Sequence, residues 1–186
     1  MQPEQWIDMI AYFDAFSGIS GDMTLGALID LGVPEAWLQD ELSGLLSGFS
    51  LDTRTVFRHH LRATDLTVTV ADQDHSSRNY TDIRTLIEKS PLSETVKTNS
   101  LAAFHKIAEA ESRIHGRDIE TVHFHEIGGI DSIVDIVGSF LAVEYLGITK
   151  VYASAIPLGS GAIQCAHGRI PVPVPATLAI LEGVPI

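Results

Sequence analysis

The sequence predicts an α/β chain, with a mixed α+β arrangement as its variant: a helix-covered mixed sheet that carries a β-hairpin lobe. Three observations predict it. Short apolar runs such as Ile10-Ala11-Tyr12-Phe13 have the length and composition of buried strands. Longer stretches, among them the one that begins at Asp131, repeat their apolar residues at the helical period. Between residues 49 and 71 two runs alternate apolar with polar residues, Leu66, Val68 and Val70 against Thr67 and Thr69, as hairpin strands do.

Composition narrows the class. A chain of 186 residues with 45% hydrophobic content can bury a sizeable core, and we expect residues 11–186 to form a single α/β domain behind an extension at 1–10, with an internal linker at 72–80. A net charge of -12 argues against nucleic acid as a partner, because that affinity rests on clustered Lys and Arg. An anionic ligand would have to be held by backbone amides or through a metal. The single cysteine, Cys165, excludes an internal disulfide framework and suits a reducing compartment. The first nine residues include Glu4 and Asp8 and lack the basic and apolar regions of a signal peptide. The apolar run from Ile133 to Leu146 holds Asp135 and Glu144 and falls short of the roughly 18–20 residues of a membrane span. These features predict a cytoplasmic protein with no membrane partner.

In chain order, the first strand, 10–13, enters the loop Asp14 to Asp22, and a helix follows from Met23 to Leu31, stopped by Gly32. Pro34 can open a second helix through about Leu46. Strands are expected at 49–57 and 61–71, with His59-His60 as a solvated turn between them. Thr81 can cap a short helix to about Lys89, and Ser93 a long one to His115 that Gly116 ends. Leu101, Phe104, Ile107, Ala108, Glu111 and Ile114 share a stripe of that helix. A strand at 121–125, a helix at 131–146 and a buried strand at 148–156 come next. Pro171, Pro173 and Pro175 hold the backbone extended until Pro175 opens a last helix, 176–181. The chain is still apolar at Gly183-Val184-Pro185-Ile186, which leads us to expect a longer natural polypeptide.

Three strand-to-helix loops carry the chemistry-bearing residues, and in α/β sheets such loops gather at one edge. The first, with Asp14, Ser17, Gly18, Ser20, Gly21 and Asp22, joins a strand to a helix N-terminus, where backbone N–H groups can hold an anion. Asp22 could equally cap that helix. The second runs from His123 to Asp135. If 122–125 is extended, His123 and His125 lie on one face about 6.7 Å apart, and Glu126 follows them. Asp131 and Asp135 share a helical face about 5–6 Å apart, a like-charge pair that costs a few tenths of a kcal/mol. The helix dipole offsets Asp131 but fades before Asp135, so a cation is the natural companion of Asp135. The third loop, 159–175, brings Cys165 and His167. Pooled, the loops offer imidazole and thiolate, which suit nickel or zinc, and carboxylates, which suit magnesium or manganese.

In this order the motifs resemble those of the LarC family, the nickel-insertion proteins of nickel-pincer nucleotide cofactor synthesis. They are Phe13-Asp14 with Phe16-Ser17-Gly18-Ile19-Ser20-Gly21-Asp22-Met23, then His123-Phe124-His125-Glu126 with Gly128 and Asp131-Ser132-Ile133-Val134-Asp135, then Pro157-Leu158-Gly159-Ser160-Gly161, Cys165-Ala166-His167-Gly168 and Pro171-Val172-Pro173 with Pro175-Ala176-Thr177. The resemblance implies insertion of nickel into pyridinium-3,5-bisthiocarboxylic acid mononucleotide, a lyase-class reaction that uses CTP with magnesium or manganese. The product would serve lactate racemase-type enzymes, so a recipient racemase is an implied partner, and a homo-oligomer is compatible with the family. On this reading His123, His125, Glu126, Asp131 and Asp135 would hold or pass on metal. Asp14 to Asp22 would meet the nucleotide's phosphate or magnesium, and His125, Glu126, Cys165 and His167 would do the chemistry. Family members are about twice this length, which makes the chain comparable to an N-terminal portion. Two alternatives stand beside the resemblance: a metal-dependent hydrolase, since a strand ending in His-x-His also occurs in amidohydrolases, and a non-catalytic metal or nucleotide carrier.

Overall fold

The computed structural model describes residues 8–71, 78–124, 127–165 and 168–186. Strand β1 (Met9–Phe13) leads through the first loop into helix α1 (Gly21–Asp30), and α2 (Glu35–Ser43) follows, with Pro34 as its N-cap residue. Strands β2 (Phe49–Arg58) and β3 (Leu61–Val70) form an antiparallel hairpin in continuous register from Phe49↔Val70 to Arg58↔Leu61. Its two-residue turn is His59-His60, with φ of 47° and 68°. Such a turn needs positive φ at both positions, a conformation that costs a residue with a Cβ about 1–2 kcal/mol. The pair is exposed, as a solvated turn should be.

Helices α3 (Tyr80–Lys89), α4 (Glu94–His115) and α5 (Ile130–Tyr145) build the bulk of the molecule. The cap of α3 is Asn79 and not Thr81: Asn79 accepts from the Asp82 N–H and Asp82 accepts from the Asn79 N–H, a reciprocal capping box. The Thr81 hydroxyl instead donates to the Glu120 carbonyl at 2.9 Å. Ser93 caps α4 and Gly116 ends it in the left-handed conformation at φ 59°, as its sequence predicts. Of the predicted stripe of α4, Phe104 and Ala108 are buried and Leu101 and Ile107 pack against the core; Val96, Ser100 and Ala110 are buried as well, and Ile114 is left exposed.

The chain closes with β4 (Ile148–Ala153), the short hairpin β5 (Ala162–Cys165) and β6 (Gly168–Pro171), and α6 (Pro175–Ile180), which starts on Pro175 and packs against α4. The predicted mixed α/β class holds, and its sheet is divided into three two-stranded units: parallel β1-β4, antiparallel β2-β3 and antiparallel β5-β6. Helix α1 packs on β3 and on α5, and α2 packs on β2 and on α5, so the hairpin is the sheet that the helices cover. Leu25, Leu28, Leu38, Leu42, Leu51 and Leu66 meet Ile83, Phe104, Phe124, Ile133 and Val137 in one core. Each such side chain contributes about 1.5–3 kcal/mol on burial.

Two strand expectations change. Strands β1 and β4 form but are not buried: Ile10, Tyr12, Val151 and Tyr152 are more than half exposed. Residues 121–124 keep strand-like alternation, with Val122 and Phe124 in the core and His123 outside, but their one sheet contact is a single bridge from His123 to Asn79.

Close backbone approach fixes α1. A Cβ on Gly26 would stand 2.7 Å from the Thr64 carbonyl of β3, and Ser100 is fully buried with no hydrogen-bond partner for its hydroxyl. We expect Gly26→Ala to lower stability by about 1–3 kcal/mol through overpacking. Ser100→Ala should raise it by about 1 kcal/mol by removing an unsatisfied hydroxyl. Urea denaturation of both variants checks the two opposite signs.

Candidate functional site

The first and second loops meet where α1 passes α5. The contact is made by Gly21, the first residue of α1, against which the Asp135 carboxylate packs directly; a Cβ there would overlap the carboxyl group. Farther along, Leu25 lies against Gly138, where an added Cβ would stand 3.2 Å from Leu25 Cδ2. A glycine on each helix thus lets the backbones approach closely. The approach brings Asp22 and Asp131 near enough to Asp135 to act on its charge.

The surroundings of these carboxylates differ. The Ser20 hydroxyl donates to Asp22 Oδ1, which also accepts the Met23 N–H at 2.8 Å; the N-cap of α1 is Ser20 and not Asp22, which stands within the first turn, where an acidic side chain is favoured by the helix dipole. Asp131 is exposed and accepts the Ser132 N–H at 2.8 Å. Asp135 is half-buried, and its Oδ1 is shielded from solvent with no hydrogen-bond partner. Burial, with Asp22 and then Asp131 adding repulsion, raises the Asp135 pKa from the usual 3.8 to about 6. Its Oδ1 lacks a hydrogen bond and no counter-charge stands among the causes of the shift, and a cation would supply both.

The remaining residues of the first loop are held in place around this contact. Asp14, at the end of β1, is exposed, as are Ser17 and Ser20. Gly18 turns the chain at φ 98° and its N–H donates to the Ala15 carbonyl at 2.9 Å. The Ala15 N–H in turn donates to Ser154 Oγ at 2.9 Å, which ties the loop to the end of β4. The sequence carries no sign of this role for Ser154, which lies within the strand expected at 148–156. With Asp22 on the first turn of α1, the local charge opposes a bare phosphate there, and a phosphate would be better received through a bridging cation.

In the second loop, Gly128 allows a close crossing: a Cβ would stand 2.7 Å from the Arg78 carbonyl and 2.8 Å from the Phe124 carbonyl. The crossing aligns the exposed His123 with Asn79. In the third loop, Cys165 pairs with Gly168 across the β5/β6 hairpin. His125, Glu126 and His167 lie outside the described residues, as does the side chain of Cys165. Among the described residues no three His, Cys, Asp or Glu side chains stand in a metal-ligating arrangement. Asp22 and Asp131 act on Asp135 through charge alone, and the unpartnered Asp135 Oδ1 is the one carboxylate oxygen among these residues that is buried without a partner, a hard donor that suits a divalent cation.

Fold and site together define an α/β protein in which two strand-to-helix loops converge their carboxylates at one helix–helix contact. The chain belongs to the nickel insertion protein family, whose model matches residues 11–186. It is 49% identical to a protein of Citrifermentans bemidjiense and 53% identical to one of Wolinella succinogenes, both bearing the nickel-insertion name. It is also 48% identical to a Geobacillus kaustophilus protein named for nickel insertion into pyridinium-3,5-bisthiocarboxylic acid mononucleotide. Each match covers 95% of this chain and 46% of the relative, so the chain spans about half the length of the curated relatives it matches. No solved structure matches it at a significant level. No helix among the described residues is long and apolar enough to cross a membrane.

The Asp135 carboxyl gives the site a pH signature. Its folded pKa is raised, so its stabilising contribution is complete below about pH 4 and is lost as pH rises through about 6. Asp135→Asn should therefore stabilise the protein at pH 7.5, by on the order of 1 kcal/mol after allowance for partial solvent screening, and have little effect at pH 3.5. Thermal melts of both proteins at the two pH values test this.

Proposed function

We propose that this chain forms part of an enzyme that inserts nickel into pyridinium-3,5-bisthiocarboxylic acid mononucleotide in a CTP-dependent reaction, with a racemase-type enzyme as recipient of the product. The observation that carries the proposal is the unpartnered Asp135 carboxylate packed against Gly21, within the influence of the Asp22 and Asp131 charges, in a chain of the nickel insertion protein family. The name of the Geobacillus relative supports the substrate.

We assign the donors by their chemistry. Asp22, Asp131 and Asp135 offer oxygen alone and would hold the magnesium or manganese that accompanies CTP, bringing the nucleotide phosphates to the first loop, Asp14 to Asp22. The imidazoles of His123, His125 and His167 and the thiolate of Cys165 are the donors nickel prefers, and would pass the ion to the sulfur atoms of the substrate. Glu126 would take up protons released as nickel displaces them from its ligands. A bound cation beside Asp135 would screen its repulsion from Asp22 and Asp131, and so favour its ionised form.

The two donor classes are separable by experiment. His123→Ala/His125→Ala should weaken nickel binding by about tenfold or more, the equivalent of ~1.4 kcal/mol, and leave manganese binding unchanged. Asp131→Asn/Asp135→Asn should do the reverse. Equilibrium dialysis with nickel and electron paramagnetic resonance titration with manganese measure the two affinities, and unchanged nickel affinity in the histidine double variant rejects the assignment. Nickel incorporation by a full-length protein with and without CTP tests the activity itself. A carrier would consume no CTP.

A further inference from the structure

We infer that the β1/β4 ribbon and the outer face of α1 form the seat for the half of the polypeptide that the relatives carry and this chain does not match. Parallel strands are ordinarily covered on both faces, because the crossover that joins them lays structure over the sheet. This parallel pair is open. Ile10 and Tyr12 of β1 are 55% and 65% exposed, and Val151 and Tyr152 of β4 are 53% and 56% exposed. Register pairs Ala11 with Val151 and Tyr12 with Tyr152, so apolar side chains stand on both faces of the ribbon.

Helix α1 extends the same surface. Its inner face, Leu25, Gly26 and Leu28, is buried, whereas Met23 and Leu31 are 56% and 69% exposed. Met23, Ala27 and Leu31 recur every four residues and so lie on one side of the helix. Together with Ile10, Tyr12 and Ile19 they line a groove of about 370 Å³ between helix and ribbon. A contiguous apolar surface of this kind, in a chain of net charge -12, marks an interaction site.

The position of the last residues identifies the occupant. The Ile156 N–H donates to the Pro185 carbonyl at 3.2 Å, and the Ser154 N–H to the Phe13 carbonyl at 2.9 Å. Ile186 therefore lies beside the carboxyl end of the open ribbon. Any polypeptide continuing from it would begin next to the surface it covers and would need no long linker. Val184 and Ile186 are themselves apolar and 38% and 67% exposed. The relatives have that polypeptide to offer, since this chain covers 46% of their length.

Amide hydrogen exchange tests the assignment. The comparison is between the 186-residue chain and a chimera in which it replaces the matched region of the Citrifermentans bemidjiense relative. Amides of Met9–Phe13 and Ile148–Ala153 should exchange at least tenfold more slowly in the chimera. Unchanged exchange there overturns the proposal. So does protection that appears in the 186-residue chain alone as its concentration rises, which would make a second copy the occupant. Should the chimera fail to fold, the full-length relative and its own matched region make the same comparison, and the aligned segments must slow in the full-length protein. A chimera carrying Tyr12→Glu and Tyr152→Glu should lose the protection of the ribbon while the core amides of α5 keep theirs; retained ribbon protection also overturns the proposal.

Discussion

The close passage of α1 over α5 is the contact on which both the core and the candidate site depend. It rests on the absence of side chains: Gly21 receives Asp135, Gly138 receives Leu25, and Gly26 receives the Thr64 carbonyl of the hairpin. Glycine inside a helix costs about 0.5–1 kcal/mol relative to alanine. Here that cost is offset by packing, because Leu25 and Leu28 of α1 enter the same core as Ile133, Val134 and Val137 of α5. The hydrophobic contact therefore sets the spacing of the helices, and the spacing sets how near the carboxylates of the two loops come.

That order of causes explains why an unfavourable electrostatic arrangement persists. Asp22, Asp131 and Asp135 would not gather on their own account, since repulsion and desolvation both act against the charge on Asp135. The core holds them together, and the protein stores a modest electrostatic penalty at a defined place. A penalty of this kind is relieved by a proton at low pH or by a cation at neutral pH. The orphaned Oδ1 of Asp135 makes the second outcome chemically specific, because a buried carboxylate oxygen with no donor nearby is an acceptor waiting for a ligand.

Much of this was legible in the sequence, in proportion to how local the determining interactions are. The helix over residues 130–145, the long helix between Ser93 and Gly116 and the 49–70 hairpin follow from periodicity and caps within a few residues of one another. The cap of α3 falls on Asn79 and not on Thr81, and the sequence conceals it because Asn79-x-x-Asp82 uses a shorter acidic partner than the usual capping-box pattern. Asp135 stood out as a helical carboxylate with no local reason for its position. Its actual neighbour, Gly21, could not be read, because the contact joins residues far apart in the chain. The sequence places Gly21 in a loop suited to an anion, and nothing local to it points to Asp135. At 121–124 the alternation is real, but it directs Val122 and Phe124 into the core, and His123 makes a single bridge to Asn79.

The misjudged burial of β1 and β4 is itself informative. Ile10-Ala11-Tyr12-Phe13 and Val151-Tyr152-Ala153 have the composition of strands covered on both faces, and the strands do form, in parallel, with a continuous register from Ile10 to Phe13. What differs from the expectation is the cover. A parallel pair exposed on both faces carries an aggregation hazard that proteins ordinarily blunt with charges, prolines or short edges. Of those devices Lys150 alone stands within these two strands. Local pattern and solvent exposure thus disagree at the ribbon, while they agree at the hairpin, whose inner residues Leu51 and Leu66 are buried under the helices. The disagreement falls on the apolar surface that the ribbon shares with the outer face of α1.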